Sequence, residues 1–484
     1  MHSTLLACAG VLLSSCAGSP PAMSEVALPT GTPERFGTVD DSAQIEDGIA
    51  DQWWQAFGDE HLNACIEAAL QHNRDLQAAS ARLSAALAQS ELAGAGLTPQ
   101  VDVNFNASRA RQLFLGFPFG SGSGVPSSTF TTYGLNLNVS WEVDLWGRLR
   151  DLDAAGIADL QAQTAEFEGA IQSLLAQTCK AYFAVVEARQ QLALSEATAE
   201  TFSATANDVR DRFQRGVRPA VDTFQAETNL RDAQANAASR RRQLHAAVRQ
   251  LEILMGRYPA NVTDSAAALD DRHLRATLQE IPIGLPSELL ARRPDLAAAE
   301  RRLVATGCRV DAARADLYPR ISLTATGGTT SLELGDLIDD AFRVWSLGAN
   351  LLQPLLRGGA LRAELARSEA VQQEAIANYG AALLRAFAEV EIALADANLL
   401  ETQETAAAAA AASATQASDL ARDRYQRGVT DFLAVADFQR RAFSSQAAAI
   451  AVRRQRIDNR IDLILALGGG FTTFMPRIVE EAKP

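Results

Sequence analysis

Beyond its first residues, the 484-residue chain has no run of about 20 apolar residues, so it offers no transmembrane helix. Any passage into a membrane must be made as β-strand. Aromatic residues are scarce at 6%, which excludes a thick aromatic core. Ala instead runs through most of the chain, including Ala406 to Ala412, and small side chains over long spans suit helices packed closely on one another. Basic charge is in deficit: 44 Lys and Arg against 58 Asp and Glu leave a net charge of −14. That argues against a nucleic-acid partner and suits a soluble surface or a cation-favouring lumen. Catalytic and metal signatures are missing too. His61, His72, His245 and His273 are scattered, and no phosphate loop, nucleophile elbow or H-E-x-x-H occurs. None of the five cysteines forms a C-x-x-C, so no zinc site or disulfide framework is indicated. Cys65, Cys179 and Cys308 lie in Ala-rich helical contexts and read as small buried hydrophobes. The sequence points away from an enzyme and toward no cofactor.

At the N-terminus, Leu5 to Leu13 is an apolar run too short to span a bilayer as a helix. It leads into Leu13-Ser-Ser-Cys16, which resembles a bacterial lipobox, although only His2 and the Met1 amine precede the run where Lys or Arg would be usual. Residues 1–15 then form a signal peptide, Cys16 carries the covalent lipid, and Ala17 rather than Asp implies sorting to the outer membrane. Residues 16–50, rich in Pro, Gly, Ser and Asp, read as an extended tether.

An internal duplication organises the rest. Asp211-Arg-Phe-Gln-Arg-Gly-Val217 recurs as Asp423-Arg-Tyr-Gln-Arg-Gly-Val429, and the same offset places Phe167 on Tyr379 and Ile171 on Leu383. The first repeat covers 51–260 and the second 285–470, with a linker at 261–284 and a tail at 471–484. Each repeat reads helix, strand, loop, strand, long helix, turn, helix. In the second strand Tyr133, Leu135, Leu137, Val139, Trp141, Val143 and Leu145 point one way, while Gly134, Asn136, Asn138, Ser140, Glu142 and Asp144 point the other, with no apolar exception. Val101, Val103, Phe105 and Ala107 alternate with polar residues in the same manner, as do Ile321, Leu323 and Ala325, and Trp345, Leu347, Ala349 and Leu351. Gly116 to Ser128 reads as a surface loop.

Alternation alone also fits a soluble sheet with one face on a core. Length and bracketing favour lipid: Tyr133 and Trp141 stand about 26 Å apart along the strand, close to the roughly 25 Å apolar band of outer-membrane barrels. Tyr133, Trp141 and Trp345 are the candidate membrane-interface aromatics. Four strands cannot close and an open edge is not tolerated in lipid, so copies of the chain must join; three would give about twelve strands.

No proline falls between Arg148 and Arg215, enough for about 100 Å of helix, and Leu361 to Arg427 matches it. Phe167, Ile171, Leu174, Thr178, Ala181, Val185, Ala188 and Leu192 are spaced alternately four and three, which is a coiled-coil seam. Return helices from Val221 to Met255 and Leu433 to Leu467 complete two hairpins, turning at Gly216 and Gly428. Asp211 with Arg215 and Asp423 with Arg427 form (i, i+4) pairs in the last turns.

The opening Trp53-Trp-x-x-Phe57-Gly-Asp59, the Leu97-x-Pro99 and Leu317-x-Pro319 strand entries, Glu142-Val-Asp-Leu-Trp-Gly-Arg148, Gln353-Pro-Leu-Leu-x-Gly-Gly359 and the paired tips together resemble the TolC-like outer membrane efflux proteins, lipoprotein branch (the OprM/NodT type). The resemblance spans nearly all of residues 50–470. It implies a mainly α chain with membrane β: a homotrimeric twelve-stranded barrel in outer-membrane lipid, with a long α-helical coiled-coil barrel in the periplasm. It also implies a tripartite efflux system, in which a periplasmic adaptor and an inner-membrane pump of the RND type deliver drugs or other toxic solutes to a channel that catalyses nothing. By the same resemblance Arg215, Gly216, Val217, Arg427, Gly428 and Val429 meet the adaptor, and Asp222 and Asp437 ring the periplasmic aperture. The family's basic partner in the second tip falls on Thr430 and a further acidic position on Ala434, so the polar latch is only partly present. Two other readings stay open: an outlet for type I protein secretion, and a lipid-anchored coiled-coil scaffold without a pore.

Overall fold

A computed structural model describes residues 52–113, 127–260 and 292–469. The signal, Cys16 and tether, residues 116–126 of the expected loop, the linker 261–284 and the tail 471–484 lie outside the described residues. A short 3-10 turn (Trp53–Phe57) precedes α1 (Glu60–His72) and α2 (Arg74–Gly94). Strands β1 (Gln100–Leu113) and β2 (Ser127–Val143) follow, then α3 (Arg148–Gln214) and α4 (Ala220–Leu254). The second repeat has α5 (Pro294–Ala315), β3 (Arg320–Ser331), β4 (Arg343–Leu352), α6 (Ala360–Gln426) and α7 (Phe432–Ala466). The duplication is kept to the residue: α3 and α6 both hold 67 residues, α4 and α7 both hold 35, and each pair is offset by 212.

The chain forms two compact units. The first contains the sheet and the helical segments joined to it, residues 84–113, 127–163 and 299–379. Its four strands are antiparallel throughout, in the order β1-β2-β3-β4, so β1 and β4 are both unpaired edges. The register sorts the side chains into rows. Val101, Val139, Ala325 and Leu347 form one row, and Val103, Leu137, Gly327 and Trp345 form another on the same face. Between them runs Asp102, Asn138, Thr326 and Ser346 on the opposite face. The apolar face is bare: Val103 is 72% exposed and Leu347 76%, and no layer among the described residues of the unit covers them. This is the opposite of a soluble sheet lying on a core.

Three sequence expectations change here. Leu145 lies beyond the strand, because Asp144 caps the start of α3, accepting from the Leu149 and Arg150 backbone amides at 3.1 and 3.0 Å. Burial opposes ionisation of Asp144, but those amides and the Arg150 guanidinium hold its carboxyl below the ordinary range. Ser127 and Ser128 belong to β2 rather than the loop. In β2 the polar phase is uninterrupted from Thr132 to Glu142; Ala110, Phe130, Val344 and Leu352 fall in it near strand ends. At the helix-bearing end of the sheet, Arg148 pairs with Glu142 at 2.9 Å and with Asp316 at 3.6 Å, and Arg320 reaches Asp316 at 2.5 Å.

The second unit holds residues 52–83, 164–260, 292–298 and 380–469. The opening motif is structural there. Trp53, Trp54 and Phe57 are buried, and Phe57 packs on Phe183 at 5.0 Å. Asp59 caps α1 through the His61 amide at 2.9 Å and accepts from the Tyr182 hydroxyl at 2.5 Å. The seam of α3 is buried from Phe167 through Val185, and its repeat buries Leu383, Ala386, Val390 and Ala393. Val390, Ala393, Leu394, Leu463, Ala466 and Leu467 form one core cluster. Burial pushes the Cys65 thiol to about 11 and raises Cys179 further, so both stay protonated at neutral pH.

Candidate functional site

Both hairpin tips lie in the second unit and close in the same way. Gly216 (φ +74°) and Gly428 (φ +75°) take the left-handed conformation that ends a helix. Val217 N–H donates to the Arg212 carbonyl and Gly216 N–H to that of Phe213, at 2.9 and 2.8 Å; Val429 to Arg424 and Gly428 to Tyr425 repeat this at 2.9 and 3.0 Å. The paired bonds satisfy carbonyls that a helix end leaves open. Arg427 pairs with Asp423 at 2.9 Å as expected, whereas in the first tip the ion pair is Arg212 with Asp208 at 3.2 Å rather than Arg215 with Asp211.

The two tips pack side by side through Ala206, Val209, Ala226, Ala421, Tyr425, Phe432, Val435 and Ala436. Tyr425 is central: its ring is buried, with Arg212 and Arg218 lying over it at 4.7 and 4.9 Å. Arg218 also donates to the Thr430 carbonyl at 3.4 Å, bringing a cation from the first tip to the position where the second has no basic residue. Burial, against the pull of the two arginines, raises the Tyr425 phenol. Tyr425 belongs to the repeated tip motif, but its packing role and Arg218 were not read from sequence. Comparing the repeats position by position exposes them: Tyr425 is buried where Phe213 is exposed, and Arg218 stands where the second tip has Thr430.

Around this packed base the tips present apolar side chains to solvent. Val217 and Val429 are exposed, joined by Val221, Phe224 and Leu433, which sequence reasoning missed. Arg215 and Arg427 are exposed beside them. Asp222 lies in the first turn of α4, half-buried and without an ion pair among the described residues. Asp437, one and a half turns into α7, pairs with Arg441 at 2.8 Å and Arg440 at 3.6 Å. The two aspartates differ in net local charge, a difference already legible in the spacing Asp437, Arg440, Arg441.

In the sheet, Tyr133 and Trp141 stand towards opposite ends of the bare apolar face, whereas Trp345 falls midway between their rows. Tyr133 lies in the row of Ala107 and Ser331, and Trp345 in the row of Val103. Trp141, at the other end, donates its indole N–H to the Leu97 carbonyl at 3.1 Å. Trp146, of the Glu142–Arg148 motif, donates to the Pro319 carbonyl at 2.7 Å and stacks on Tyr318 at 5.0 Å. No helix among the described residues is long and apolar enough to cross a membrane.

Comparison with known proteins places this architecture. The sequence model of the outer membrane efflux protein family matches residues 65–257 and 285–469, one match on each repeat. The chain is 31% identical to the pyoverdine export outer membrane protein OpmQ of Pseudomonas aeruginosa over 97% of each, and 34% identical to the outer membrane protein OprJ of that organism over 86% of each. The crystal structure of the Campylobacter jejuni CmeC outer membrane channel has the same fold, with a TM-score of 0.83, 24% identity and coverage of 93% of this chain and 94% of that one. The fold is the trimeric TolC-like one, in which four strands from each of three chains make a twelve-stranded barrel in the outer membrane, with a periplasmic extension. Its general role is that of an efflux channel, and the family's members are channels rather than enzymes. By its repeats, its strands and its matched length, this chain belongs to the outer membrane efflux protein family.

Proposed function

We propose that this chain is the lipid-anchored exit duct of a tripartite efflux system, giving passive passage to small toxic solutes. An inner-membrane pump of the RND type supplies the energy, and a periplasmic adaptor docks on the hairpin tips. The names of relatives, pyoverdine export for OpmQ and solvent efflux for SrpC of Pseudomonas putida, support this solute class over protein secretion. Cys16 carries the lipid, and Asp222 and Asp437 line the periplasmic aperture.

The observation that carries the reading is the pair of tips. Two helix turns with the same closure present Val217, Val221, Phe224, Val429 and Leu433 to solvent from a rigid base. A monomer gains nothing from such exposed apolar groups, whereas a docked partner buries them. At the aperture, three copies of Asp222 would hold like charges close together and draw cations. Asp437, paired with two arginines, contributes less field. Conductance of the purified trimer in planar bilayers tests this. Asp222→Ala is expected to raise closed-channel conductance and weaken cation preference, and Asp437→Ala to do so less. Unchanged conductance and selectivity in both variants would remove the aperture role.

A further inference from the structure

The strands carry charge in a pattern that pore formation alone does not require. On the outward face, set by the apolar rows, every charged residue of the four strands is an arginine: Arg109, Arg111 and Arg343. The two strand carboxylates, Asp102 and Glu142, both fall in the inward phase. All three arginines sit at the loop end of the sheet, the end not joined to the helices, which faces outward from the cell because the helices are periplasmic. Arg109 is the next outward position after the Ala107–Tyr133 row and Arg111 the one after that; Arg343, next after Trp345 on β4, begins its strand in the row of Phe105, Leu135 and Thr329.

Arg109 has no ion pair among the described residues, and Arg111 donates to the Ser127 hydroxyl at 2.9 and 3.1 Å without meeting a carboxylate. Arg343 pairs with the loop residue Asp340 at 2.5 Å, and both are well exposed. Of the other loop acids, Asp336 accepts from Ser331 and Asp339 from the Ala341 amide, so these two are turned to the loop itself, while Glu333 is exposed.

β1 and β4 are the two sheet edges, so closing the barrel sets β4 of one copy beside β1 of the next. An apolar band must stay level around a barrel in lipid. With the loop ends of β4 and β1 level across a seam, Arg343 of the partner subunit would stand beside Arg109 and Arg111 of the first copy, at headgroup height. We propose that each seam binds a phosphorylated headgroup of an outer-leaflet lipid, held by three guanidiniums from two chains. Guanidinium matches phosphate in charge and by bidentate geometry, and the headgroup would staple neighbouring subunits.

The test uses the whole trimer in vesicles of a zwitterionic lipid, with and without a phosphorylated glycolipid. The glycolipid is expected to raise the temperature of trimer dissociation, less so in high salt. Joint replacement Arg109→Gln, Arg111→Gln and Arg343→Gln should abolish the rise while leaving pore conductance unchanged. Retention of the lipid should fall roughly hundredfold, each basic group near an anionic lipid surface being worth about fivefold. The three Arg→Lys replacements should keep part of the effect. An equal rise in the Gln variant, an equal rise with the dephosphorylated glycolipid or with inorganic phosphate alone, or complete loss in a trimeric Lys variant would each overturn the proposal.

Discussion

Glu404 shows how this mainly helical chain uses single charges. It accepts from Arg453 Nε at 3.0 Å and Arg456 Nη1 at 2.9 Å, with its own side chain only 18% exposed. Burial works to raise its pKa, but the hydrogen bonds from Arg456 and Arg453 win and hold the carboxyl below the ordinary range. A carboxylate shifted downward adds stability that is complete above the unfolded value and is lost as pH falls through the lowered one. Glu404→Gln should therefore cost about 1–3 kcal/mol at neutral pH. The gap from wild type should close in acid, where both side chains are neutral; denaturant titration of the detergent-solubilised protein at several pH values measures it. A gap that persists at low pH would mean that packing, not charge, is what Glu404 contributes.

Among the elements, the long helices were the most legible, because a gapless repeat and two glycines fix their ends. Arg148–Gln214 and Ala360–Gln426 fall within a residue of the expected bounds. The strands were legible through alternation, except where alternation ran on by accident into Leu145 and the capping bonds of Asp144 stopped it. What the tips do to one another was not legible. The stacking of Arg212 and Arg218 on Tyr425 joins residues some two hundred positions apart, and no local pattern encodes it. The tips make a prediction at this scale. Gly216→Val and Gly428→Val place a β-branched residue at φ +74° and +75°, which costs roughly 1–2 kcal/mol each and distorts the closure. Cells carrying both variants should retain the trimer in the outer membrane yet lose tolerance to the exported solute. Undiminished export would show that the tips are not where the adaptor docks.

At the scale of the whole molecule, two bare edges and an uncovered apolar face fix what the chain can be. The sequence shows the need for partners, since four strands do not close; the number three came from likeness to a family, because strand count alone permits larger rings. The purified, delipidated protein should require detergent and migrate as a trimer that resists heating on gels. A stable monomer in plain buffer would contradict the lipid-facing assignment of β1 to β4.

The count of strands has a directional consequence. With four antiparallel strands per chain, β1 and β4 run opposite ways. Setting one molecule's last strand against the next one's first then continues the up-down order only when both point the same way. An odd number would have forced a parallel seam or an inverted neighbour. Parity thus permits a ring in which every copy threads the bilayer with the same heading and every seam is antiparallel.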